Sequence, residues 1–213
     1  MRSTLYRRVL RYWWCLVVEK RVITVDIEIA KPVESHPDKW AGAMRGECGI
    51  SSMVLFDTAT MRYHVYMPEI CIENGVVAVE GLDNLHVGLK HLNEADIIVG
   101  WNNTGFDRRV IESLLGKIDP IDYDLLTHIW KARGREKGWS LGPTAQRTLG
   151  INKTESGAHA PDLFQSGKIG RLVDYNISDV YITRMLVNHV VDGGHLIAPD
   201  GSEVAVTPLE CYA

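Results

Sequence analysis

Two carboxylates lie in the middle of an apolar, β-branched segment near the start of the chain. Residues 21–30 read RVITVDIEIA, and Pro32 prevents continuation, which predicts a strand with both faces largely covered. Residues two apart on a strand project from the same face, so Asp26 and Glu28 lie side by side. Two buried anions repel each other and lose hydration, which is unfavourable unless a cation neutralises them. The pair therefore predicts a metal site, with a solvated sheet face as the alternative.

Spacing alone does not identify such a site, because two further acid pairs have the same spacing. Glu94/Asp96 and Asp122/Asp124 flank the ends of predicted elements, where acids are typical of caps and turns. Asp107 differs, since it follows the apolar segment ADIIVG and lies in the first turn of the next predicted helix. Ligands of open α/β sheets bind at such strand ends. For Asp107 alone, an acid that merely favours the helix dipole remains the alternative.

A tyrosine and an acid share one face of a predicted helix near the end of the chain. Tyr175 and Asp179 are four residues apart, so both side chains can reach one point. For Tyr175 alone, a partly buried core position is the alternative.

The elements that must position these residues follow from hydrophobic periodicity and turn signals. The segment 31–50 is predicted to be a long loop with one helical turn. Strands are predicted over 21–30, 51–56, 62–67, 95–100 and 119–123, helices over 82–92, 106–115, 124–132 and 168–191, and a small hairpin around Asp200-Gly201. Three antiparallel strands followed by alternating strands and helices predict an α/β fold, a mixed sheet with helices on both faces.

The acids form an ordered motif: Asp26-Ile27-Glu28, then Asn102-x-x-x-Phe106-Asp107, then Tyr175-x-x-x-Asp179. This order resembles the DEDD exonuclease superfamily, in its tyrosine-bearing DEDDy branch. Relatives there include the proofreading domains of DNA polymerases and ribonuclease D, which share a ribonuclease H-like sheet. The resemblance covers roughly residues 21–193. It implies 3′→5′ exonucleolysis that releases nucleoside 5′-monophosphates from single-stranded nucleic acid, with DNA favoured over RNA.

The same resemblance implies a role for each acid around two Mg²⁺ or Mn²⁺ ions, which oxygen ligands prefer. Asp26 would bridge both ions, and Glu28 and Asp179 would complete the site that holds the attacking water. Asp107 would hold the second ion through water, and Glu28 would also contact the terminal 3′-hydroxyl. Tyr175 would orient the water, because a hydroxyl with a pKa near ~10 is a poor base at neutral pH.

The substrate contacts are predicted from two regions. The resemblance implies that Asn102 and Phe106 bind substrate, together with Ile29, where many relatives carry a small polar residue that holds the terminal nucleotide. A basic stretch with Trp130 and Trp139 interleaved is predicted to contact phosphates and stack a base, with a solvated helix end as the alternative. Its bases are Lys131, Arg133, Arg135, Lys137, Arg147 and Lys153.

Length, charge and cysteine spacing indicate the domain organisation and the cellular compartment. The 213 residues, 46% of them hydrophobic, predict one domain over 21–213, preceded by a basic extension over 1–20. Residues 1–21 hold six of the 23 Lys/Arg and one of the 27 acids, so they carry +5 and the rest −9. The apolar run there is too short and too interrupted for a signal peptide or a membrane span. The four cysteines show neither zinc nor disulfide spacing, which is typical of a reducing cytoplasm.

Two other functions stay open on the sequence alone. One is a catalytically weak nucleic-acid-binding module of a replication or repair complex, with a polymerase or helicase as its partner. The other is an endonuclease of the ribonuclease H type, which uses a similar acid cluster.

Overall fold

The computed structural model describes residues 20–73, 76–153 and 160–209. All of the predicted basic extension except Lys20 lies outside these ranges. Within the described ranges, no helix combines the length and the apolar character that a membrane crossing requires.

The described strands form one central sheet and two separate hairpins. They are β1 (Val22–Ile29), β2 (Ile50–Asp57), β3 (Arg62–Tyr66), β4 (Glu69–Glu73), β5 (Val76–Gly81), β6 (Ile97–Gly100), β7 (Ile121–Asp124), β8 (Leu196–Ile197) and β9 (Glu203–Val204). The five-stranded sheet has the order β3-β2-β1-β6-β7, and the hairpins are β4-β5 and β8-β9. In the central sheet, β1, β2 and β3 are antiparallel, whereas β6 and β7 run parallel to β1. The predicted mixed, ribonuclease H-like sheet is therefore confirmed.

Helices cover both faces of this sheet. The described helices are α1 (Lys39–Met44), α2 (Asp83–Leu92), α3 (Asp107–Leu114), α4 (Leu125–Arg133), α5 (Leu141–Leu149), α6 (Ala160–Gln165) and α7 (Ile169–Val191). Odd-numbered residues of β1, such as Val25, pack with the apolar sides of α2 and α3. Val22 packs on the opposite face with α4, α5 and α7. Each such buried aliphatic side chain stabilises the fold by about 1.5–3 kcal/mol. The alternation directs Asp26 and Glu28 toward α7.

Three elements were not predicted from the sequence. The β4-β5 hairpin spans a segment that contains Asn74-Gly75, a dipeptide typical of two-residue hairpin turns, so a sequence signal for it existed. Helix α5 carries Gly142 and Pro143 in its first turn, where proline is tolerated, although this pair usually indicates a loop. Helix α6 has only six residues, too few to show a helical period. The segment 31–50 is also more ordered than predicted, because it contains a 3-10 turn, Val33–Ser35, in addition to α1.

One buried carboxylate holds the turn between β6 and α3. Asp124, at the end of β7, accepts hydrogen bonds from the backbone N–H groups of Asn102 at 2.9 Å and Thr104 at 3.1 Å. It also accepts the Thr104 hydroxyl and caps α4 by accepting the Thr127 N–H at 3.2 Å. Asn102 has a φ of 62°, a left-handed conformation that asparagine adopts more readily than most residues. The predicted capping role of this acid is confirmed, and the turn it holds delivers Asp107.

Replacing Asp124 with alanine removes the helix cap and leaves the half-buried N–H groups of Asn102 and Thr104 without an acceptor. We expect the free energy of unfolding to fall by about 2–4 kcal/mol. The measurement is urea denaturation of Asp124→Ala beside Asp119→Ala, whose side chain is exposed and pairs only with Lys117 at the surface. The control should change by less than about 0.5 kcal/mol. Equal stability of the two variants would contradict the role given to Asp124.

Candidate active site

The strand β1 changes register within the site. Its pairing with β2 shifts between Glu28 and Ile29, and the Ser51 hydroxyl donates to the carbonyl oxygens of both residues, at 3.1 and 3.2 Å. Such a bulge redirects side chains at the end of a strand. Ile29 consequently packs in a small apolar cluster with Val33 and Ala43, next to Glu28.

Helix α7 supplies the second side of the site. The Asn176 side-chain amide donates to Ser52 Oγ at 2.8 Å, and Ser52 pairs with Glu28 across the sheet. This buried hydrogen bond fixes the position of α7 over the strand β1. Asn176 follows Tyr175, and Asp179 lies one turn further along the same helix, where the Tyr175 side chain favours the charged form of its carboxylate.

Asp107 approaches from the opposite face of the sheet. It is the first residue of α3, and its Oδ1 accepts the backbone N–H of Ile27 at 3.1 Å, between Asp26 and Glu28. This N–H is available because the pairing of β6 with β1 ends at Thr24. The short length of β6 therefore leaves a backbone donor that orients the Asp107 carboxylate.

Three of the predicted acids form one cluster. Asp26, Glu28 and Asp179 each offer a carboxylate oxygen, and these atoms lie within 4.8 Å of one another. Asp26 Oδ2 and Asp179 Oδ1 are buried and accept no hydrogen bond from any described group. Buried carboxylate oxygens without partners are unfavourable, and oxygen-only sets suit hard divalent cations. The residues present therefore fit a metal ion, as predicted.

A lysine that no motif singled out lies in the cluster. Lys153 Nζ is 2.6 Å from Asp179 Oδ2 and 4.6 Å from the centre of the Tyr175 ring. In the sequence it is one base of a long basic stretch, with no signal that places it beside the acids. In the structure, the Lys153 ammonium group offsets part of the negative charge of the clustered acids.

Burial and mutual repulsion keep protons on the acids. Burial, followed by the charges of Asp107 and Asp179, raises the pKa of Asp26 well above its usual range. Burial and the Asp179 charge do the same to the pKa of Glu28, against the opposing charge of Lys153.

The two remaining acids shift in the same direction. Burial raises the pKa of Asp107 to about 7, although the Ile27 N–H favours its charged form. Burial also raises the pKa of Asp179, which Lys153 and Tyr175 counteract. Without a cation, the four carboxyl groups therefore cannot all be ionised near neutral pH.

Two other groups of potential ligands are already neutralised by arginine. Asp57, His64 and His91 lie close together, but Arg21 contacts both Asp57 oxygens, at 2.8 and 3.2 Å. A second group, His36, Asp38 and Glu47, is exposed or half-buried, and Arg45 pairs with both of its acids. A further cation is less favourable at either place than at the active-site cluster.

The predicted substrate residues divide into two locations. Phe106 packs on the cluster that contains Ile29, and Asn102 lies in the turn that leads to Asp107. These three therefore adjoin the acids.

Apart from Lys153, the basic stretch makes its described contacts away from the acids. Arg133 pairs with Glu136 and with Asp200 of the terminal hairpin, and Arg135 lies 4.7 Å from the Trp130 ring centre. Lys131 is exposed at the end of α4. Trp139 is only 7% exposed and belongs to the core, so the expectation that it stacks a base is wrong. Trp139 packs in the apolar core with α5 and α7, although its neighbours in the sequence are basic.

Comparison with known proteins identifies the fold. No protein-family model matches the sequence, and no curated protein matches it either. Among solved structures, the chain is similar to the family B DNA polymerase from the hyperthermophilic archaeon Pyrobaculum calidifontis, with a TM-score of 0.61 and 16% sequence identity. The match covers 81% of this chain and 24% of the polymerase chain, so this chain spans about a quarter of that protein's length. The likeness shows a shared fold.

The raised pKa values of the four acids make the stability of the metal-free protein depend on pH. A carboxyl group with a folded pKa above its unfolded value contributes stability below the unfolded pKa, and this stability is lost as pH rises through the folded pKa. With a chelator present, we expect the free energy of unfolding to fall from about pH 4 to about pH 8, a window that includes the Asp107 pKa of about 7. Mg²⁺ or Mn²⁺ at about 100 times its dissociation constant should restore about 2.7 kcal/mol at neutral pH.

The Asp26→Asn variant isolates this effect, because it removes one charge and retains the shape. At neutral pH without metal it should be more stable than the parent protein by more than about 1 kcal/mol, the equivalent of one pKa unit of repulsion. Added cation should stabilise it far less. Asp119→Asn is the matched surface control. A parent protein that Mg²⁺ and Mn²⁺ leave unchanged would contradict the metal site.

Proposed function

We propose that this protein is a metal-dependent 3′→5′ exonuclease. It removes nucleotides from the 3′ end of single-stranded nucleic acid, DNA in preference to RNA, and releases nucleoside 5′-monophosphates. The observation that carries the proposal is the cluster of Asp26, Glu28 and Asp179, which holds buried carboxylate oxygens without partners. Its motif resembles the DEDDy exonucleases, whose relatives include polymerase proofreading domains, and its fold is similar to a DNA polymerase.

The acids are suited to hold two divalent cations. Asp26, Glu28 and Asp179 would hold the first, and Asp107 would act with Asp26 at the second, on the side of the strand where it accepts the Ile27 N–H. Divalent cations bound there would make a water nucleophilic near neutral pH and stabilise the charge on the leaving oxygen. Glu28 would also accept a hydrogen bond from the terminal 3′-hydroxyl, which would make cleavage depend on a free end.

Tyr175 acts as a positioning group for the attacking water. Burial, followed by the charges of Glu28 and Asp179, raises its pKa above the usual range of a phenol. The hydroxyl therefore stays neutral at any working pH and cannot accept the proton of the water. The Lys153 ammonium, 4.6 Å from the centre of the Tyr175 ring, helps to hold the ring in place.

Lys153 reduces the repulsion between the acid cluster and the negatively charged nucleic-acid strand. A phosphodiester that approaches four carboxyl groups meets a negative field, which weakens binding. The Lys153 ammonium, 2.6 Å from Asp179, reduces that field from within the site.

Cleavage should depend on the clustered acids and on metal. We expect the protein with Mg²⁺ or Mn²⁺ to shorten a 5′-labelled single strand into a ladder, and chelation to stop it. Asp26→Asn and Asp179→Asn should each lower the rate by about a thousandfold or more, because each removes a ligand charge. Asp119→Asn, an exposed acid, should keep the parental rate. Unchanged ladders from both cluster variants would contradict the proposal.

The need for a free 3′ end distinguishes the alternatives. Matched DNA and RNA strands with free or blocked 3′ ends, and a circular single strand, should give cleavage only of the free ends and faster cleavage of DNA. Cleavage of the circle would indicate an endonuclease of the ribonuclease H type. Tight binding of every strand with no metal-dependent cleavage would indicate a binding module of a replication or repair complex, with a polymerase or helicase as its partner.

A further inference from the structure

A large aromatic side chain lies exposed beside the candidate active site. Trp40 on α1 is 60% exposed, and its ring meets the Phe106 ring edge-on, with centroids 5.8 Å apart. Phe106 directly precedes Asp107 and packs on the cluster of Ile29, the residue after Glu28. An apolar row therefore runs outward from the acids through Ile29 and Phe106 to Trp40.

The support under this ring is held by specific contacts. The Ser113 hydroxyl of α3 donates to the Arg45 carbonyl oxygen at 2.6 Å, which attaches the end of α1 to α3. Arg109 of α3 contacts Met44 Sδ at 3.8 Å. An indole on such a support presents a wide flat surface and has only two side-chain torsions to immobilise when a ligand binds.

The charges around Trp40 favour an anionic ligand. Lys39 and Arg109 are exposed next to the ring and to Asp107, respectively. Arg45 pairs with both Asp38 and Glu47 and offsets one of their two charges, and Glu34 is the remaining exposed acid of this segment in the described structure. Phosphate groups can therefore approach this surface although the whole chain is acidic.

We propose that Trp40, backed by Phe106, stacks an unpaired base upstream of the 3′-terminal nucleotide. This inference rests on the proposed exonuclease function, which places the terminal nucleotide at the acids. The following nucleotides then extend along the apolar row. Every base offers a π face to an aromatic ring, so the contact is independent of sequence, while Lys39 and Arg109 attract the backbone.

Binding without cleavage provides the first test. In the Asp26→Asn background with Mg²⁺, the affinity for a 5′-fluorescein oligothymidylate is measured by anisotropy. Trp40→Ala should raise the dissociation constant by about ten- to a hundredfold, and Trp40→Phe by less, because a smaller ring still stacks. Tyr181→Ala removes another exposed aromatic, on α7, and should stay within about twofold of the background. Unchanged affinity in Trp40→Ala overturns the proposal.

The position of a missing base separates stacking from a structural effect. A set of strands carries a single abasic nucleotide at successive positions from the 3′ end. With Trp40 present, one upstream position should show the largest loss of affinity, and that loss should vanish in Trp40→Ala. A uniform loss at all positions, unaffected by Trp40, overturns the proposal.

A small substrate separates failure of this inference from failure of the proposed function. Thymidine 5′-(4-nitrophenyl) phosphate offers one nucleoside and no upstream base. Trp40→Ala, made in the active parent protein, should hydrolyse it at the parental kcat/KM while raising the KM for the oligonucleotide.

Each contrary result has a distinct meaning. Equal losses on both substrates show that Trp40 supports the acids and overturn the stacking role. If the parent protein hydrolyses neither substrate, the proposed function fails, and the anisotropy measurements still decide the stacking role. If Trp40→Ala abolishes a concentration-dependent dimer and leaves strand affinity unchanged, the surface binds a second copy of the chain, and the stacking proposal is overturned.

Discussion

Repulsion among carboxylates held inside the protein is the interaction on which the rest of the structure depends. Asp26, Glu28 and Asp179 offer oxygens within 4.8 Å of one another, and burial raises the pKa of each. A chain free to relax would separate them, since charges at this distance in a medium of low polarity repel by several kcal/mol. The acids remain together because apolar packing and buried hydrogen bonds in other parts of the fold fix the elements that carry them.

The fold resists this repulsion through side-chain hydrogen bonds in separate parts of the chain. Asn176 binds Ser52 and sets the height of α7, Asp124 holds the turn before α3, and Ser51 stabilises the bulge after Glu28. Each contact uses a buried polar group that would itself be costly without its partner. The three contacts fix different elements of the fold. The acids are therefore held close together in the structure without a cation.

Much of this arrangement was accessible from the sequence, for reasons specific to each element. The β-branched run of β1 and the hairpin of β2 and β3 have strong period-two patterns, and the fold class followed from their order. Lys153 was not predictable as part of the site, because it lies 26 positions from Asp179 and carries no motif. The burial of Trp139 was not predictable either, because it depends on contacts with α5 and α7 that only the tertiary structure creates. Sequence identifies groups with strong local patterns, whereas partners from distant segments require the fold.

The shortness of β6 has a consequence beyond the position of Asp107. An N–H left unpaired at a strand edge is ordinarily an aggregation hazard, a template on which a foreign strand can add. Here the vacated edge at Ile27 is occupied by the Asp107 carboxylate of the same chain, so one side chain both blocks foreign pairing and is held beside the acid cluster. The length of β6 therefore determines whether Asp107 can reach the Ile27 N–H. An insertion that extended the pairing of β6 with β1 past Thr24 would place a carbonyl oxygen where Asp107 now binds, and would displace Asp107 from the other acids without altering any of them.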